Sequence, residues 1–148
     1  MSLPEIDLAP ELIGQVLDAV DKGFERQLGF TQQMMALDST RGKEHQAQAC
    51  FFEALESRGY ETDQWSIDIA EIEGHPGFSP VKVDYDNAVN VVGTHTPVET
   101  KGRSLILNGH VDVVPTGPVD MWTRPPFEPW IEGDWLYGRG GADMKAGL

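Results

Sequence analysis

The run "RSLILNGHVDVV", Arg103 to Val114, constrains this chain more than any other stretch. Leu105-Ile106-Leu107 is continuously apolar and aliphatic, with no polar residue alternating through it. A strand with one wet face alternates; one that does not alternate is expected to be covered on both faces, as in layered α/β folds. The run then turns polar at Asn108 and sets His110 and Asp112 two positions apart. Residues i and i+2 of a strand project from the same face, and open α/β sheets place ligands beyond the carboxyl ends of their strands.

Helices are expected ahead of this strand. From Pro10 to about Leu37 the apolar positions Ile13, Leu17, Val20, Phe24 and Leu28 recur at steps of three and four, with Gly23 and Gly29 as points of kinking or breakage. After "LDSTRG" a second helix is expected from about Lys43 to Arg58, with Thr40 or Gly42 in its N-cap region and Gly59 as its C-terminal stop. "YETDQWSIDI" reads as a strand and "EGHPGFSP" as a loop. "NAVNVVGTH" and "RSLILNGHVDVV" read as neighbouring strands, joined as a hairpin through "TPVETKG". From Thr116 to Trp135, Pro and Trp are dense and regular structure is not expected; a loop this long in a small domain is usually functional. The fold class is therefore α/β, helices first and then a sheet, in a single domain over 148 residues with 40% hydrophobic side chains.

Composition removes several function classes. The 24 Asp and Glu against 11 Lys and Arg give a net charge of −13, which argues against nucleic-acid partners and against an anionic membrane surface. No window holds the apolar length of a membrane span and no secretory leader opens the chain, so a soluble cytoplasmic protein is expected. Cys50 is the sole cysteine, excludes an intramolecular disulfide, and falls on the apolar face of the second helix as an inert thiol.

Two constellations can carry chemistry. In His110-x-Asp112, a neutral imidazole is a metal ligand through one nitrogen while a carboxylate accepts the other N–H and fixes the tautomer; a capped histidine at a strand end has the same sequence. In "LYGRGGADMKAG", four glycines surround Asp143. A dinucleotide fingerprint fails because Asp143 occupies the third glycine position, and a Walker loop fails for want of Gly-Lys-Ser/Thr. What remains is a glycine-lined turn presenting one carboxylate, either to cations or to solvent. His45, His75 and His95 have no carboxylate or histidine partner at ligand spacing.

"LILNGHVDVVP" followed by "PPFEPWIEGDWLYGRGGADMKAGL" resembles the zinc-dependent metallopeptidase family of aminoacylase, carboxypeptidase G, acetylornithine deacetylase and succinyl-diaminopimelate desuccinylase. The resemblance is strongest from Leu105 to Leu148 and extends more weakly over "MMALDSTRGKEHQAQACFFEALESRGYET". "TRPPF" and "DMKAG" depart modestly from the family form, outside the ligand positions.

The resemblance implies that residues 1–148 are the N-terminal portion of a three-layer α/β/α catalytic domain with a mixed sheet. It implies that His110 ligates one metal, that Asp143 bridges two, that Asp112 is the catalytic carboxylate orienting His110, and that the Asp143–Met144 peptide is cis. It further implies two Zn2+ ions, with Co2+ as a substitute, and a water between them that a glutamate deprotonates for attack on an amide carbonyl. The substrate would be an N-acyl amino acid or acylated diamine, as for acetylornithine deacetylase, or a dipeptide or carboxypeptidase substrate, and the full-length protein would be a homodimer. The glutamate and the remaining ligands are expected beyond Leu148, so this polypeptide alone is expected to be inactive. The competing expectation is a non-catalytic, partner-binding fragment.

Overall fold

Apolar spacing at three and four builds the first element. In a computed structural model that describes residues 9–80, 82 and 86–148, helix α1 runs unbroken over Pro10–Met35. Gly23 and Gly29 lie inside it without interrupting it, a correction to the expected break: each glycine costs only about 1 kcal/mol in a helix interior, less than a helix end would leave unbonded. The chain divides into two units, Met1–Phe30 and Thr31–Leu148. In the first, the side chains that set the helical spacing stay half exposed, Leu17 and Phe24 among them.

The second unit carries the remaining elements. Its turn at "LDSTRG" is held by Asp38, whose carboxylate accepts from Thr40 N at 3.1 Å, Thr40 Oγ1 at 2.8 Å and Lys43 Nζ at 2.8 Å. Burial pushes the Asp38 carboxyl upward, but these bonds outweigh it and hold the group below its ordinary range. Helix α2, His45–Ser57, starts two residues later than expected and ends before Gly59, which adopts φ +79° as the predicted stop. Cys50 on α2 is half-buried, and burial together with the Glu53 carboxylate pushes its thiol up, away from the reactive thiolate.

Strand β1, Glu61–Ser66, pairs antiparallel with β2, Val89–Thr94, in the register Glu61↔Thr94 to Ser66↔Val89. α2 packs on this ladder, and a Cβ at Gly93 would come within 2.9 Å of Leu55 Cδ2, so glycine there permits the close approach. The expected hairpin between β2 and the Leu105 run is therefore corrected: β2 takes β1 as its partner, where α2 supplies a cover. Leu105, Ile106 and Leu107 belong to no strand among the described residues and are 80%, 88% and 87% exposed. Between the strands lies the short helix α3, Ile69–Ile72, capped by Asp68, whose carboxylate accepts from Ala70 N.

The Pro- and Trp-rich segment is more regular than expected. It holds a 3-10 turn at Val119–Met121 and a hairpin of β3, Trp130–Glu132, with β4, Trp135–Tyr137. The signal was a Gly-Asp pair between two alternating triplets, a two-residue hairpin turn with Gly133 at φ +60°. Trp130 stacks on Tyr137 across the hairpin at 4.9 Å, and Arg124 lies over Trp130. Among the described residues the elements thus make an α/β arrangement with two small antiparallel sheets.

The core of the second unit is small and lies under the loops. Met34, Met35, Ala47, Val111 and Val113 are buried, joined by Thr31, Ser39 and Lys145. Among the described residues no helix is long and apolar enough to cross a membrane.

Candidate metal centre

His110 is aimed by the residues that follow it. Val111 and Val113 point into the core, 5% and 2% exposed, so the alternate positions His110 and Asp112 face outward. Ser39 fastens this segment: its hydroxyl donates to Val111 O at 2.6 Å, its carbonyl accepts from Val113 N at 3.0 Å, and Thr40 bridges Val113 in parallel. The end of α1 and the His110 segment are therefore bound by backbone bonds close to the site.

Asp143 arrives on the glycine turn. Gly138 and Gly140 adopt φ +146° and +79°, conformations that side chains rarely take. A Cβ at Gly140 would lie 2.5 Å from Val113 Cγ1, and one at Gly138 would lie 2.7 Å from Met35 Cε. The turn closes on itself through Lys145 N to Gly140 O and Ala146 N to Gly141 O. It is anchored to α1 by Lys145, 1% exposed, whose Nζ donates to Met34 O and Leu37 O at 2.8 Å each. Met34 O lies in the last turn of α1 and also accepts from Leu37 N at 3.3 Å, while Leu37 lies just past the helix. Burial pulls the Lys145 ammonium down to about 8. The Asp143–Met144 peptide is cis, as the resemblance implies.

Together these segments place His110 between two carboxylates. Its Nδ1 lies 3.0 Å from Asp112 Oδ1 and its Nε2 lies 3.2 Å from Asp143 Oδ1. Nδ1 also lies 3.1 Å from Asp112 O, and the His110 backbone N donates to Met144 Sδ at 3.4 Å. Arg41 Nε stands 3.5 Å from the other Asp112 oxygen, Oδ2. These groups line an open cleft of about 510 Å³ with Arg139 and residues 138–143. Asp143 is 87% exposed, turned to the solvent side of the turn.

The donor chemistry fits a cation. When Nδ1–H donates to Asp112, the Nε2 lone pair faces a carboxylate oxygen, and a cation placed between those two acceptors would be attracted by both. His110 Nε2 and Asp143 Oδ1, 3.2 Å apart, are a nitrogen and an oxygen donor of the kinds that zinc takes. Among the described residues no group of three or more His, Cys, Asp or Glu is arranged to hold a metal. Asp112 lies on the far side of the imidazole from Asp143, so two side chains are presented to a common point.

Sequence reasoning named His110, Asp112 and Asp143, and the structure brings all three together. It missed Arg41, Arg139 and Lys145. For Lys145 there was no signal, because nothing local marks a lysine whose partners lie 108 and 111 positions away. The other histidines stay apart: His75 Nδ1 accepts from Gly77 N, and His95 meets Tyr60 edge-on. The loop tryptophans stand outside the cleft lining, with Trp122 Nε1 donating to Thr116 O at 2.9 Å.

The chain is 35% identical to the succinyl-diaminopimelate desuccinylase of Paraburkholderia xenovorans over 121 residues, 82% of this chain and 27% of that protein. It is 32% identical to that of Herminiimonas arsenicoxydans over 128 residues, 84% of this chain and 28% of the relative. A stretch of 44 residues, 30% of this chain and 12% of the relative, is 64% identical to the Azoarcus protein of the same name. The chain thus spans about a quarter of the length of these relatives. Residues 106–148, which hold His110, Asp112 and Asp143, match the model of Peptidase family M20/M25/M40.

Proposed function

We propose that the complete protein carrying this chain is a metal-dependent hydrolase of amide bonds that removes an acyl group from an amine. The observation that carries the reading is the imidazole of His110 held between Asp112 and Asp143 at 3.0 and 3.2 Å. His110 and Asp143 would hold zinc, with cobalt as a competent substitute, and Asp143, having two oxygens, can reach a second ion. Residues 1–148 are the metal-binding N-terminal portion of the catalytic domain in this reading, and the assembly is a cytoplasmic homodimer.

Bound zinc supplies a Lewis acid for the amide carbonyl and acidifies water. The chain's own residues do the positioning. Asp112 accepts the Nδ1 proton and holds His110 in the tautomer whose Nε2 is free to bind. Arg41 balances the Asp112 charge, and the glycine turn presents the Asp143 carboxylate beside Nε2. The base that takes a proton from water is assigned to a glutamate outside these residues, so the 148-residue chain alone has no turnover. Substrate choice follows the relatives' name: an N-succinyl diamine is favoured over an N-acetyl diamine or a dipeptide.

The test is metal analysis of the complete protein, followed by hydrolysis of N-succinyl and N-acetyl diamines and of dipeptides. His110→Ala should remove both bound zinc and activity, and retention of either would sink the assignment. Asp112→Asn should keep the fold but lower zinc affinity by about 10–100-fold.

A further inference from the structure

Among the described residues Arg139 is a cation without an anion. It sits in the glycine turn, where its backbone N donates to Pro126 O at 2.7 Å, and its guanidinium carbon lies 5.0 Å from the centre of the Trp122 ring. Among the described residues its Nε is the one buried side-chain nitrogen or oxygen with no hydrogen-bond partner. A buried donor left unmet costs about 1–3 kcal/mol, and the guanidinium fork offers further N–H donors beside Nε. In a chain with 24 acidic and 11 basic side chains, a carboxylate partner would be easy to supply from within. None of the described carboxylates takes that place.

We propose that Arg139, joined by Arg41, is a carboxylate-binding subsite of the cleft that selects substrates carrying an acid group beyond the scissile amide. Both arginines line the cleft that contains His110 and Asp143. Its two carboxylates, Asp112 and Asp143, both face His110. Arg41 shares Asp112 through Nε at 3.5 Å and is 67% exposed, leaving the rest of its fork to solvent. Arg139 shares no carboxylate among the described residues. The Trp122 face holds its plane, and Trp122 is itself fixed by its bond to Thr116 O. A planar fork held on an aromatic surface suits bidentate capture of a carboxylate, which a lysine at the same position does less well. A cleft of about 510 Å³ has the size of a small-molecule site. The subsite thus deepens the hydrolase reading, on which its link to substrate choice rests.

The experiment uses the complete zinc-loaded protein and two substrates with one amine, N-succinyl and N-acetyl. For Arg139→Gln, the succinyl-to-acetyl ratio of kcat/KM should fall about tenfold or more, carried by KM for the succinyl substrate. Arg139→Lys should recover part of the ratio, and Arg41→Gln should lower it about threefold. Equal loss on both substrates would mean a packing role on Trp122 and would overturn the proposal, as would an unchanged ratio. If Arg139→Gln does not fold, Arg139→Lys and Arg41→Gln decide by the same ratio. Should the protein hydrolyse neither amide, the hydrolase reading fails separately, and calorimetric binding of succinate still tests the subsite. Binding to the unaltered protein that Arg139→Gln abolishes supports it; no binding, or equal binding, overturns it.

Discussion

Leu105-Ile106-Leu107 and Val111/Val113 belong to one segment and are equally aliphatic, yet they have opposite fates. The first three are 80–88% exposed and outside any strand, while Val111 and Val113 are 5% and 2% exposed. Their hydrophobicity cannot account for the difference, because it is the same. What differs is the supply of partners. Val111 and Val113 meet the end of α1 through Ser39 and Thr40, and the glycine turn lies against Val113. Leu105 to Leu107 meet no comparable cover among the described residues. His110 and Asp112 sit where the described residues supply a scaffold, and the run before them has no such scaffold among the described residues.

The sharpest way to break this comparison is to remove the space that buries Val113. Gly140→Val would place a β-branched residue at φ +79° with its Cβ 2.5 Å from Val113 Cγ1. Backbone strain and overpacking together should cost about 3 kcal/mol or more. Thermal unfolding should show a large fall in Tm, and a Tm near that of the unaltered chain would mean that the turn is not packed as described.

The anchor of the turn provides the next largest effect, through pH. Lys145 titrates at about 8 when folded against 10.5 for an unperturbed lysine. Between those values the unfolded chain holds the proton and the folded chain does not, so stability rises with pH across the window. Below about 8 both states are charged and the burial penalty is carried in full; above about 10.5 it is gone. The gain is at most about 3 kcal/mol. Urea unfolding at pH 7.5 and 10.5 should show this rise in the unaltered chain and lose it in Lys145→Met. Equal slopes in the two proteins would show that the ammonium is not buried between Met34 O and Leu37 O.

How much of this was legible in the sequence depended on whether the signal was local. Periodicity found α1 and α2, and Gly59 marked a true stop, because helical bonds close within four residues. His110, Asp112 and Asp143 were singled out by spacing and a glycine-framed turn together with the family resemblance, and the structure brings the three side chains together. The pairing of β2 was misjudged, since adjacency along the chain favoured the Leu105 run while β2 pairs with β1 in a ladder covered by α2, with Leu55 against Gly93 of β2. The β3–β4 hairpin was hidden by the surrounding prolines although Gly133-Asp134 marked its turn. Lys145 and Arg139 were invisible because their meaning depends on Met34, Leu37 and Trp122, far away in the chain.

Val113→Ala removes two methyl groups from a 2% exposed site and should cost about 1–3 kcal/mol. If the complete protein holds zinc as proposed, the substitution should also weaken that binding, because Val113 Cγ1 braces the glycine turn that carries Asp143. A loss of stability with zinc affinity unchanged would separate the core from the site and break that link.

Ile106→Ala is the counterpart and the smallest effect. At 88% exposure Ile106 buries almost nothing in this chain, so truncation should change stability by no more than about 0.5 kcal/mol here. In the complete protein the same substitution should cost about 2–5 kcal/mol, the range for a buried aliphatic residue, if further chain covers this run as a continuously apolar strand requires. Urea unfolding of both proteins reads the two values. A small effect in both would mean that the run stays on the surface, and its apolar character would then need an explanation other than the sheet it was expected to join.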